Sequence, residues 1–261
     1  MILCADDYGL RDDIDSAIVE LVYARKLSAV SCMVAFERCS QKCLAELLKF
    51  REQIDVGLHL CLTDERLALS KTGAAESHQL PSFSILLKSA FIGQIEPEQV
   101  AGQIAQQYHL FLAKCDRRPD FIDGHLHVHQ LPGIRQGLLN FLSSLPTELR
   151  PYIRNTRTPR LEVWRQRLPW MKTIAIGFFG SRMFAQLRRQ GIPTNEGFSG
   201  IYDFRDWRKY DRYLPRFMAC LRQPNGLLVT HPGREEAWRQ QEFRTLREFI
   251  FPDGALNRFR R

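Results

Sequence analysis

No stretch of the 261 residues approaches eighteen consecutive apolar positions, so nothing in the sequence reads as a membrane-spanning helix. A signal peptide is also missing: the chain opens directly on Met1-Ile-Leu-Cys-Ala5, without a basic segment and apolar core, and the expectation is a cytoplasmic protein. Cysteines occur at 4, 32, 39, 43, 61, 115 and 220, an odd number with no Cys-x-x-Cys pair. That pattern excludes a small disulfide framework and fits a reducing compartment. Low-complexity segments and internal repeats are absent, which argues against disorder and against a solenoid. Acidic balance is lacking in one half. Residues 131–261 hold 24 Lys and Arg against 11 Asp and Glu, whereas residues 1–130 hold 13 against 18. The basic residues run through amphipathic segments such as 182–189 and 205–216 without a nucleic-acid-binding motif, so they read as solvated helix faces. No nucleic-acid partner is expected, and a non-catalytic binder of nucleic acid or of a membrane surface is disfavoured.

What the chain does have is a rhythm of short apolar runs and amphipathic stretches. Residues 1–5 read as a strand that ends on Asp6-Asp7-Tyr8-Gly9, and Ile14, Ala17, Ile18, Leu21 and Val22 follow Asp12-Asp13 at helical spacing. The same periodicities predict strands over 29–35, 55–62 and 120–124, and helices over 39–50, 97–112 and 132–145, with Pro97 opening one of them. Strands are expected again at 152–155, 173–177 and 227–230. Helices are expected at 179–190, ended by Gly191, and at 235–249. Residues 207–221 are amphipathic, and 195–203 are glycine-rich without an assigned element. Residues 63–95, broken by Gly73, Pro81 and Gly93, read as a long insertion in which only 83–91 looks helical.

Strand and helix alternating along one chain imply a parallel sheet within a single α/β domain spanning 1–261. The polar residues choose between its two forms. Asp6 and Asp7, His59, His125, Arg157 and His231 fall at or just past the ends of different predicted strands. In a (β/α) barrel, even an irregular one, those C-terminal ends share one rim, whereas an open sheet gathers only residues near its switch point. A barrel is therefore expected.

The stretch Asp123-Gly-His125-Leu-His127-Val-His129 carries three histidines in alternation beside an acid. If it is extended, alternate imidazoles share a face and can converge on a metal, with Asp123 orienting a ligand. Asp7, His59 and His125 would offer two nitrogens and a carboxylate to a catalytic divalent ion, leaving His127 and His129 as alternative ligands or groups facing substrate. Mixed donors suit zinc, iron, cobalt or nickel, whereas magnesium prefers oxygen; one divalent ion, magnesium or zinc, is expected. Asp6 would be free to act as a base, His231 as an acid toward a leaving amine or a donor to an oxyanion, and Arg157 as a hold on an anionic group. Singly, each has a blander reading: an Asp pair after a strand is often a turn and cap, and a histidine before Pro-Gly is often only a loop residue.

Four segments resemble the YdjC-like carbohydrate deacetylases, the ChbG/HpnK group: Ala5-Asp-Asp-Tyr-Gly9, Asp55-Val-Gly-Leu-His-Leu-Cys-Leu-Thr63, the stretch from Asp123 through His129 to Gly133, and Thr230-His-Pro-Gly233. They occur in family order across residues 5–233. The resemblance implies a deacetylase-type barrel and hydrolysis of N-acetyl groups on an amino sugar, oligosaccharide or glycoconjugate. It also implies a divalent metal on Asp7, His59 and His125, with Asp6 as the catalytic acid/base. Cys4 and Cys61 stand where the family more often has polar residues. The alternative is another metal-dependent barrel hydrolase, a phosphoesterase or an amidohydrolase, and the expectation leaves room for a homodimer.

Overall fold

The structure, a computed structural model, describes residues 1–36, 38–63, 80–158, 160–165 and 170–260. Seven strands form one parallel sheet: β1 (Ile2–Tyr8), β2 (Ala29–Cys32), β3 (Asp55–Leu60), β4 (Phe121–Gly124), β5 (Tyr152–Ile153), β6 (Gly197–Ser199) and β7 (Gly226–Thr230). Their spatial order is β5-β4-β3-β2-β1-β7-β6, so neighbours in space follow the chain around a curled sheet. The two edges come back toward each other. Ile153 bridges to Thr194, three residues ahead of β6, and the Asn155 backbone N–H donates to Asn195 Oδ1 at 2.8 Å. Asn195 Nδ2 returns a bond to the Asn155 carbonyl at 3.0 Å, so one side-chain amide pairs both backbone groups of a residue that an open edge would leave bare.

Around the sheet lie α1 (Asp12–Tyr23), α2 (Gln41–Leu48), α3 (Phe83–Phe91), α4 (Pro97–Cys115), α5 (Ile134–Ser143), α6 (Arg160–Arg165), α7 (Trp170–Arg189), α8 (Tyr210–Ala219) and α9 (Ala237–Glu248). Strand alternation sorts the core in two. Leu3, Ala5, Val30, Val56, Leu58, Ile122 and Leu228 face the helices, while Ile2, Cys4, Ala29, Phe121, Tyr152, Phe198, Leu227 and Val229 fill the inside. Gly57 faces inward, where a Cβ would come within 2.3 Å of the Phe121 ring; the missing side chain is the space that ring occupies. Below, the C-terminal tail closes the barrel: Phe259 stacks on Tyr152 at 4.1 Å and its N–H donates to Asp55 Oδ2.

At the other end, β1 carries a bulge. Ala5 pairs with Val30 and Tyr8 with Cys32, so Asp6 and Asp7 together oppose Ser31. Asp7 takes a left-handed φ of 70°, which an aspartate tolerates better than most side chains. Strict alternation would send consecutive acids to opposite faces. The bulge brings both carboxylates to the inside of the rim.

Two expectations need correction, and one open stretch is filled. Residues 173–177 lie within the helix α7; the run Ile174-Ala175-Ile176 is too short to tell a strand from a helix, and the buried positions Thr173, Gly177, Gly180, Met183 and Leu187 follow helical spacing. Gly180 lets α7 press on the loop after β5, where a Cβ would sit 2.3 Å from the Thr156 carbonyl carbon. The glycine-rich 195–203 stretch contains β6. The three histidines do not continue β4 as an extended array: 125–130 is a tight helical turn in which Leu126 and His127 have positive φ. Within the expected insertion, α3 matches the helical stretch 83–91, and residues 64–79 lie outside the described residues. Among the described residues no helix is long and apolar enough to cross a membrane.

Candidate active site

Inside the rim a cavity of about 420 Å³ has Asp6, Asp7, His59, His125, His127, His231 and Arg239 among its walls, together with apolar groups that include Phe204 and Trp238. A hollow of about 530 Å³ elsewhere is lined by Arg157, Glu196 and Arg222 and by none of these seven ionisable residues. One ligand atom from each of Asp7, His59 and His125 lies within 4.8 Å of the others. His125 Nδ1 is 3.1 Å and His59 Nε2 3.5 Å from Asp7 Oδ1, while Arg239 donates to Asp7 Oδ2 at 2.6 Å. The two oxygens of Asp7 are thus divided between an arginine and the imidazoles. Burial alone would raise the Asp7 carboxyl, but Arg239, His125 and His59 outweigh it and hold it well below the usual range.

His59 is oriented from behind. Its Nδ1–H donates to Asp123 Oδ1 at 2.7 Å, and the Ser31 hydroxyl donates to the same oxygen at 2.6 Å. This leaves Nε2 facing Asp7, as in the carboxylate–histidine pairs that orient metal ligands. Burial opposes a charge on His59, yet Asp123 and Asp6 raise it to about 10. A buried place that favours positive charge so strongly, lined by two imidazole nitrogens and a carboxylate oxygen, fits a divalent cation in charge and in donor type.

Among the described residues Arg154 is the largest fully buried side chain. It donates to both oxygens of Asp6, at 2.7 and 2.8 Å, and forms an ion pair with Asp123 at 2.8 Å. Against the cost of burying it, Arg154 and His59 lower the Asp123 carboxyl to about 2. His231 Nε2 lies 3.9 Å from Asp6 Oδ2, and Glu242 on α9 holds its loop by accepting from the His231 N–H and the Thr230 hydroxyl at 2.6 Å each. Burial lowers the His231 pKa.

The histidines of the turn part company. His125 joins Asp7; His127 lines the cavity with its ring edge-on to Phe198 at 5.4 Å. His129 is fully buried and donates through Nε2 to the Arg154 carbonyl at 2.8 Å. Burial, reinforced by Arg154, lowers His127 well below its ordinary value, and burial takes His129 down to about 4. Arg157 is not brought to the cluster: its side chain is exposed and lies over the Phe184 ring at 4.4 Å. The arginines that do reach the acids are Arg154 and Arg239. Arg154 had a signal, since it stands two residues after Tyr152 on the inward side of a strand and a charge there needs a partner. Arg239 had none, being one of many arginines on amphipathic helices.

A family model described as YdjC-like protein matches residues 1–252. The human protein named carbohydrate deacetylase is 32% identical over 141 residues, which are 52% of this chain and 43% of that protein. A Yersinia enterocolitica protein named chitooligosaccharide deacetylase is 29% identical over 153 residues, 57% of this chain and 58% of that one. The chain spans about half the length of the curated relatives it matches. A solved structure from Enterococcus faecalis V583, 17% identical, superposes with a TM-score of 0.63 over 95% of this chain and 90% of the other, and so shares the fold. By the extent of the family match, the chain belongs to the YdjC-like protein family.

Proposed function

We propose that this protein hydrolyses the N-acetyl group of an acetylated amino sugar, oligosaccharide or glycoconjugate, using one divalent cation held by Asp7, His59 and His125. The observation that carries the reading is the convergence of those three ligand atoms within 4.8 Å beside a second acid, Asp6, and a second imidazole, His231. Membership of a family whose matched relatives are named deacetylases points the same way. Two imidazoles suit zinc better than magnesium.

Asp7, His59 and His125 would hold a divalent cation, which when bound would supply Lewis acidity toward the amide carbonyl and the attacking water. Asp6 takes a proton from the attacking water; Arg154 fixes the carboxylate, whose lone pairs exceed the three bonds it accepts from Arg154 and the Cys4 thiol. His231 supplies a proton to the amine as the carbon–nitrogen bond breaks, so acetate and a free amino sugar leave. His127, whose ring is part of the cavity wall, offers a polar group to a sugar hydroxyl. Phe204 and Trp238, 4.2 Å apart, give an aromatic surface for the apolar face of a sugar ring. A phosphoesterase-like site with two metals is weaker: the neighbouring donors Cys4, Asp6 and Asp123 converge, but Arg154 already pairs with both acids.

The test is acetate release from N-acetylglucosamine oligomers. Activity is expected to vanish with chelator, return with zinc, and fall by at least about a hundredfold in Asp6→Asn, as for loss of a general base. Turnover indifferent to chelator and to His125→Ala sinks the reading.

A further inference from the structure

Ten large apolar side chains are exposed among the described residues; seven of them lie on α3, on α6 and α7, and on the turn after β4, and an eighth, Ile92, directly follows α3. Trp164 is 77% exposed, Phe91 60% and Phe178 43%. These elements are neighbours. Phe91 of α3 meets Phe179 of α7 edge-on at 5.7 Å, and Val163 of α6 shares a small cavity with Thr173, Ile174 and Gly177 of α7. Leu126, itself 47% exposed, lines the active-site cavity with Phe83 and Ile176, so the apolar surface begins at the cavity mouth.

The charge falls on the same stretches. Residues 80–95 and 157–189 hold nine Lys and Arg against one acid, Glu162; that surplus of eight equals the net charge of the whole chain, and the remaining residues are neutral in sum. The surplus of basic charge therefore lies on the same stretches as the exposed apolar side chains. Lys88 and Arg182 are exposed, and Arg182 lies over the Phe178 ring at 4.5 Å.

Exposed Trp, Phe and Ile on stretches that carry a surplus of cations match the chemistry of a lipid headgroup region, where aromatic rings sit at the interface and guanidinium groups meet phosphates. We propose that this face adsorbs to an anionic phospholipid bilayer, with the cavity mouth at headgroup level. A second copy of the chain is disfavoured as the occupant, because two such faces would set like charges against each other. The proposal does not rest on the deacetylase reading; adsorption and turnover are measured separately and can fail separately.

Co-sedimentation of the full chain with vesicles of phosphatidylcholine, with and without phosphatidylglycerol, tests it. The native chain is expected to pellet with the anionic vesicles and to be released by salt. Trp164→Ser with Phe178→Ser, and separately Arg182→Glu, are expected to weaken partitioning, with about a fivefold loss for each unit of positive charge removed at low salt. Both variants alter exposed positions, and circular dichroism checks that they remain folded. No pelleting of the native chain at low salt overturns the proposal, as does pelleting unchanged by folded variants. So does a dimer that the Trp164→Ser and Phe178→Ser changes dissolve, since the face then belongs to a second copy.

Discussion

Arg154 and Asp6 meet side by side inside the barrel, two guanidinium nitrogens on two carboxylate oxygens at 2.7 and 2.8 Å, with the arginine side chain 0% and the acid 2% exposed. The same guanidinium pairs with Asp123, and Asp123 orients His59. One cation therefore sets both the position of the proposed base and the direction of a proposed metal ligand.

Replacing Arg154 by Met leaves Asp6 and Asp123 buried without their shared cation. The expected loss is about 3–5 kcal/mol of unfolding free energy, read from the urea midpoint. Arg154→Lys keeps the charge but cannot fork across the carboxylate, so it should fall between Met and the native residue. A Met variant as stable as the native chain would show that the pair contributes nothing net.

Asp123→Asn removes the charge behind His59 while keeping the shape. Zinc affinity by calorimetry is expected to drop about 10- to 100-fold, the usual effect of losing a carboxylate that orients a histidine ligand. Unchanged affinity in a folded variant would remove Asp123 from the metal site.

Gly57→Ala pushes a methyl group into the Phe121 ring, from which it would be 2.3 Å away without relaxation. Overpacking of this kind costs about 1–3 kcal/mol. Combining it with Phe121→Leu should recover part of that loss, and a double variant no more stable than Gly57→Ala alone would refute the steric account.

The buried His129 imidazole is held down at about 4, against an ordinary value of 6.5. Between those values the unfolded chain binds a proton that the folded chain refuses, so this group contributes stability above pH 6.5 that is lost as the pH falls toward 4. The difference amounts to at most about 3 kcal/mol. Melting temperatures of the native chain and of His129→Gln between pH 7 and pH 4 check the sign. The native chain should lose more than the variant on acidification; parallel curves would deny the coupling.

Much of this arrangement was legible before the structure. The strand at Asp55 and the compact one before His231 were readable because buried parallel strands are continuous apolar runs. Asp7, His59 and His125 could be grouped because a barrel collects the ends of distant strands. The convergence of Asp6 with Asp7 depends on a bulge, and alternation by itself argues for opposite faces. The parting of His127 and His129 from His125 was hidden for a related reason: the chain leaves β4 through two positive-φ residues, which spacing does not reveal. Arg239 reaches Asp7 from α9, more than two hundred residues away in sequence, through a tertiary contact that local periodicity does not encode.

The Asn155 and Asn195 seam makes the barrel mechanically uneven. Around most of its circumference, separating two strands means breaking a ladder; here the join is one isolated bridge, a backbone bond from the Phe198 N–H to the Arg157 carbonyl, and the carboxamide contacts between them. The first amides to exchange with deuterated solvent should be those on either side of this join, and thermal breathing of the cavity should begin there, on the wall farthest around the sheet from β2.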